Sequence, residues 1–265
     1  MTAPMIAPTS AAVTSPTMNP WRLEWLRLTR TPRWVALFGV YLTFGLLGPV
    51  MATYLAGFLQ DVQTQMTIIV PPPEPKDGIV NYVNQVGQTG LIVVVVIAAG
   101  ALAFDARRGL STFLRTRTGS MWQLVRPRIT VAAAAAVLAY GLGTVAAWYG
   151  TALLLGPLPV GAMVAGLLCE SLYLVFAVAV VAVAASIARS GLGTVGVALG
   201  MLILLSILGT AGALHAWLPS TLAGAPAALL TGTSAADYLP AIGVTSVVIP
   251  ALVAIAVARL GRREV

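Results

Sequence analysis

One carboxylate, Glu170, stands inside an apolar run, GLLCESLYLVF. A carboxylate in hydrocarbon is costly, and such a residue binds a cation, relays a proton or is satisfied by a neighbour. Glu170 lies about two turns from the end of its run. Its side chain could therefore reach toward the surface, hydrogen-bond to Ser171 or Tyr173, or face a translocation cavity. Other chemistry is sparse. Cys169 is the single cysteine and His215 the single histidine, so neither an internal disulfide nor a Cys/His zinc cluster can form. No Ser/His/Asp or Cys/His constellation is evident, and both lone residues read as structural. The single lysine, Lys76, sits in PPPEPKDG. A phosphate-binding G-x-x-x-x-G-K-[ST] loop is thereby excluded. The chain is expected not to be an enzyme and to hold no metal or cofactor of its own.

The remaining basic residues are arginines, and their placement is the second chemical signal. Six of them (Arg107, Arg108, Arg115, Arg117, Arg126, Arg128) fall within AFDARRGLSTFLRTRTGSMWQLVRPRIT, between long apolar stretches. A net charge of +7 can mean nucleic acid. Here the charges occupy gaps between apolar runs rather than one soluble face, so nucleic acid is not the expected partner.

The elements that carry these residues follow from composition. With 58% hydrophobic and 9% charged residues, the chain has too little polar surface for a water-soluble globule. It reads as an all-α polytopic membrane protein. Residues 1–18, uncharged and rich in Ala, Pro, Ser and Thr, read as a disordered tail, followed by a single transmembrane domain over 19–265. Six spans are expected, at 34–55, 87–104, 129–155, 163–188, 192–214 and 240–258. Placing the N-terminus in the cytoplasm puts all fourteen arginines inside and leaves only Lys76 outside. The positive-inside rule therefore predicts cytoplasmic N- and C-termini. Arginine over lysine, with abundant Ala, Gly and Val, fits a high-GC bacterial genome and an inner (plasma) membrane location.

The connections have their own character. Asn19 is a good N-cap and Pro20 suits the first helical position. Trp21, Trp25, Arg30 and Arg33 then fit an interfacial helix over 19–33. Within 105–128, Leu110, Phe113 and Leu114 form one apolar strip at i, i+3, i+4, with Arg108, Arg115 and Arg117 on other faces. Such a helix either lies on anionic headgroups or docks a partner. Residues 57–86, containing PPPEPKDG, read as a stiff polar outer loop. Residues 215–239 are too apolar for an open loop and too broken for a span; two short helices dipping back into the outer leaflet would fit. In the fifth span, Gly196 and Gly200 have the small-xxx-small spacing that lets helices approach closely.

This layout resembles the ABC-2 type permeases, the membrane subunits of ATP-binding-cassette transporters, over about residues 20–260. The resemblance is carried by the elbow-like Asn19–Arg33 segment, the Arg-Thr-Pro-Arg before the first span, the six spans and the outer segment 215–239. It also rests on Asp105-Ala-Arg-Arg-Gly109-Leu110-Ser111, which departs from the family's more usual Glu and Thr-Leu. The resemblance implies a cytoplasmic coupling helix between spans two and three. Asp105, Arg108, Gly109, Leu110, Phe113, Leu114, Arg115 and Arg117 would engage a separate ATPase. Two P-loop ATPase subunits, binding ATP and Mg, would serve each complex. The permease would pair with an identical or a paralogous second copy, with Gly196 and Gly200 near the interface; actinobacterial-type systems come in both forms. The expected function is export of a drug-like, antibiotic or lipid-like amphipathic compound from the cytoplasm or inner leaflet. Two alternatives are a proton-coupled secondary transporter using Glu170 and a non-transporting membrane scaffold.

Overall fold

The computed structural model describes residues 19–62, 72–102, 121–209, 212 and 215–262. The coupling residues Asp105 to Arg117 and the tail 1–18 lie outside the described residues. Every regular element among the described residues is helical, and six segments are long and apolar enough to cross a membrane. In hydrocarbon a helix satisfies its own backbone, which is why apolar runs of this length adopt it.

Helix α1 (Pro20–Thr29) begins where expected: the Asn19 side chain accepts a hydrogen bond from the Trp21 N–H at 3.1 Å, and Pro20 fills the first turn. The Thr31 hydroxyl turns back onto the Arg27 carbonyl at 3.0 Å, and α2 (Arg33–Val62) follows directly. Its spanning part is Arg33–Leu55.

The second span starts earlier than the sequence reading placed it. Helix α3 (Pro75–Gln85), a π-helical turn (Val86–Gly90) and α4 (Leu91–Leu102) form one segment, Pro75–Leu102. The latter part of the expected outer loop 57–86 is therefore helix. Pro75 pre-sets the first turn rather than extending the loop, and the Glu74 N–H donates to Asp77 Oδ2 at 2.8 Å. Ile79, Tyr82, Val83 and Val86 then recur at i, i+3, i+4, i+7 and are all buried.

The third span also starts earlier. Helix α5 (Met121–Leu154) includes Arg126 and Arg128, which the sequence reading had assigned to the coupling segment, and it runs through Pro127. Helix α6 (Val160–Ile187) is the fourth span and the axis of the bundle. Every residue from Phe176 to Ser186 is buried. That run is almost entirely Ala and Val, so neighbours can approach on all sides.

Helix α7 (Gly191–Leu208), the fifth span, ends before the expected Leu214, because the chain turns at Gly209. The Ser220 hydroxyl donates to the Leu205 carbonyl at 3.3 Å, holding the following segment against this helix end. That segment consists of short helical pieces, His215–Trp217, Pro219–Leu222, α8 (Ala225–Leu230) and Ala235–Tyr238, with α8 packed on α6. The sixth span, α9 (Leu239–Arg262), closes the bundle against α6.

Close helix crossings occur at glycines other than the two expected. A methyl group on Gly45 of α2 would collide with the Gly143 carbonyl of α5. One on Gly143 would stand 2.6 Å from the Tyr41 carbonyl and 2.7 Å from the Tyr82 hydroxyl. Gly196 and Gly200 face open space, with no atom within 4 Å of such a methyl.

Candidate functional site

Two polar assemblies stand out, one at each end of the bundle. The first is built around Glu170, which is 5% exposed. Its carboxylate neither reaches the surface nor bonds to Ser171 or Tyr173. It accepts a hydrogen bond from the Gly224 N–H at 2.7 Å. Gly224 has φ +80°, a left-handed conformation that only glycine adopts without strain. It stands immediately before α8, so the carboxylate satisfies a helix-start donor of the returning segment. Nearby, a methyl on Gly166 would lie 2.5 Å from the Pro226 backbone. The returning segment is therefore held to α6 by close packing and one hydrogen bond.

Three buried tyrosines from three spans pack together in the bundle interior: Tyr41 on α2, Tyr82 on α3 and Tyr140 on α5. Tyr82 stacks on Tyr140 with ring centroids 6.1 Å apart, and Tyr41 meets Tyr140 edge-on at 6.0 Å. The Tyr82 hydroxyl donates to the Tyr140 carbonyl at 3.2 Å and stands 3.4 Å from Thr144 Oγ1. Among the described residues, the buried Tyr41 and Tyr140 hydroxyls have no hydrogen-bond partner. Buried hydroxyls of that kind are uncommon. Sequence reasoning singled out Glu170 but not these tyrosines. The available signal was an aromatic hydroxyl in each of three neighbouring spans.

The second assembly anchors α1. Glu24 Oε1 accepts from Arg128 Nε at 2.9 Å, with both side chains largely buried. Arg27 lies 3.6 Å from the same carboxylate and donates to the Gly100 carbonyl at 3.4 Å. Arg126 stacks over Trp21 at 6.0 Å. Arg33 lies against Gly100. Together they enclose a cavity of about 30 Å³ lined by Glu24, Arg27, Arg33 and Arg128 among others. The start of the first span, the end of the second and the start of the third thus meet at one end. Trp21, Trp25, Trp34 and Trp122 are all exposed there, as suits a membrane–water boundary. Of the predicted elbow residues, Asn19 caps, Trp21 and Arg33 make these contacts, and Trp25 is exposed. Arg30 forms the C-cap of α1. Glu24, the only acid in that segment, went unremarked in the sequence and proves to be its anchor.

A third feature is an apolar groove of about 580 Å³ between the π-helical turn and α7, lined by Gln88, Leu91, Leu202 and Ser206 among others. Glu170 lines neither this groove nor the cavity beneath α1. No known protein-family model matches the chain, and no curated protein matches it.

Proposed function

We propose that this chain is the permease subunit of an ATP-binding-cassette exporter of the ABC-2 type. The observation that carries the reading is the capped N-terminal helix, pinned through Glu24 to Arg128 at the arginine-bearing end of six apolar helices. At the opposite end, short helices return onto the fourth span, as that architecture requires. By the positive-inside rule the arginine-bearing end faces the cytoplasm, together with both termini, in a bacterial inner membrane. Two separate ATPases, holding ATP and Mg, dock there on the 105–128 segment. Their closure moves the coupling helices, and the anchored α1 and α5 transmit that movement to the spans. An amphipathic drug-like, antibiotic or lipid-like substrate crosses between two permease copies. The permease performs no bond chemistry; its work is a shift between two conformations.

The test is gentle purification of the tagged chain from its native membrane, followed by flux measurement in inverted vesicles. Recovery of a stoichiometric P-loop ATPase and ATP-dependent substrate movement support the proposal. Absence of any ATPase under several mild detergents refutes it. A second reading, proton-coupled transport, draws on the buried Glu170 and the two unpartnered tyrosine hydroxyls. It predicts flux that survives ATP depletion and collapses with the proton gradient. Stable partners without flux would instead indicate a scaffold.

A further inference from the structure

The last turn of α6, the break after it and the last turn of α9 line an open surface cleft of about 380 Å³. It is lined by Ser186, Ile187, Arg189, Arg259 and Arg262. Arginines at the end of a span are common and by themselves only orient a helix. Here three exposed guanidiniums from two separate elements line one open cleft. None of them is paired with an acidic side chain among the described residues. The local backbone builds this arrangement. Ala188 leaves the helix in an extended conformation, and Ser190 caps the next helix by accepting from the Gly193 N–H at 3.0 Å. Arg189 stands exposed in this break and lines the same cleft as the two arginines of α9. The Ser186 hydroxyl is already committed to the Val183 carbonyl at 2.6 Å. The donors left for a guest are guanidinium N–H groups, whose planar fork matches phosphate oxygens.

The surroundings identify the source of the phosphate. Ile187 lines the pocket and is exposed, and so are Leu192 just after the break and Ile255 one turn below Arg259. A cationic pocket bordered by exposed apolar side chains at the end of two spans suits a molecule with an anionic head and hydrocarbon tails. We propose that this cleft binds the phosphate of an anionic phospholipid, with the acyl chains lying along the exposed side of α9 by Ile255. The proposal is independent of the transport reading, since it concerns a lipid that stays bound whether or not the chain pumps.

The test is a titration of the purified full chain in neutral detergent, read by native mass spectrometry. The probes are phosphatidylglycerol, phosphatidylcholine and inorganic phosphate. Phosphatidylglycerol is expected to bind more tightly than phosphatidylcholine, and its binding is expected to weaken at high salt. Replacing two arginines (Arg259→Gln with Arg262→Gln) should weaken phosphatidylglycerol roughly 30-fold, about fivefold per charge, while phosphatidylcholine is unchanged. The paired Arg→Lys variant should retain most of the binding. Equal affinity for the two lipids, or a Gln pair that binds phosphatidylglycerol like the wild type, overturns the proposal. Binding of inorganic phosphate without phosphatidylglycerol overturns the lipid assignment. Should the Gln pair fail to insert, the salt response of the wild type decides: salt-insensitive phosphatidylglycerol binding rejects the site.

Discussion

Glu170→Leu should loosen the returning segment from the fourth span, and the protein carries its own reporter. Cys169 is the only cysteine, is buried, and is adjacent in sequence to Glu170. In the native state the carboxylate accepts the Gly224 N–H at 2.7 Å. An N–H left without a partner costs about 1–3 kcal/mol. Local opening should therefore become easier by about 2 kcal/mol, roughly 30-fold in the open population. Maleimide labelling of Cys169 in detergent should accelerate by that factor when opening and closing are fast. Glu170→Gln removes the charge but keeps an oxygen that can accept, so its acceleration should be about fivefold or less. Comparing Leu with Gln separates the lost acceptor from the lost charge, since both substitutions remove the charge from beside the thiol. Wild-type labelling in the Leu variant would show that Gly224 does not depend on this carboxylate. Equal rates in Leu and Gln would assign the effect to charge rather than to the hydrogen bond.

Gly143→Val should cost about 1–3 kcal/mol or more in resistance to denaturing detergent, because its side chain would meet the Tyr41 carbonyl and the Tyr82 hydroxyl. Gly196→Leu with Gly200→Leu should leave monomer stability within about 0.5 kcal/mol, since both positions face open space; size-exclusion light scattering then shows whether they serve a contact between copies. Glu24→Gln should destabilise by about 1–3 kcal/mol in thermal unfolding, because it replaces the carboxylate that accepts from the largely buried Arg128 guanidinium with a neutral amide. Arg27→Gln, in a more exposed pair, should cost less than about 1 kcal/mol. Phe113→Asp should abolish co-purification of the proposed ATPase while membrane insertion is retained, because it places a charge in an apolar contact; a variant that still assembles and pumps would remove that residue from the docking surface.

Six helices long and apolar enough to cross a membrane were legible before any coordinates, for a local reason. In hydrocarbon each segment satisfies its own backbone, so length and hydropathy identify spans one at a time. The Asn19-Pro20 start of α1 was equally legible, because a cap involves only neighbouring residues. The start of the second span was misplaced because consecutive prolines suit both an extended loop and a helix N-terminus. Only the burial of Ile79 and Tyr82 against other spans decides between the two. Partner choice was hidden for a further reason. A span that is apolar on every side shows no stripe that tells which face meets protein and which meets lipid. Thus Gly196 and Gly200 had the expected spacing, yet Gly45 and Gly143 make the crossing. Glu170 was conspicuous, yet its partner stands 54 residues away. Glu24 meets Arg128 across 104 residues. These pairings depend on the rotation and axial offset of whole helices against one another, which are set only when all six pack together.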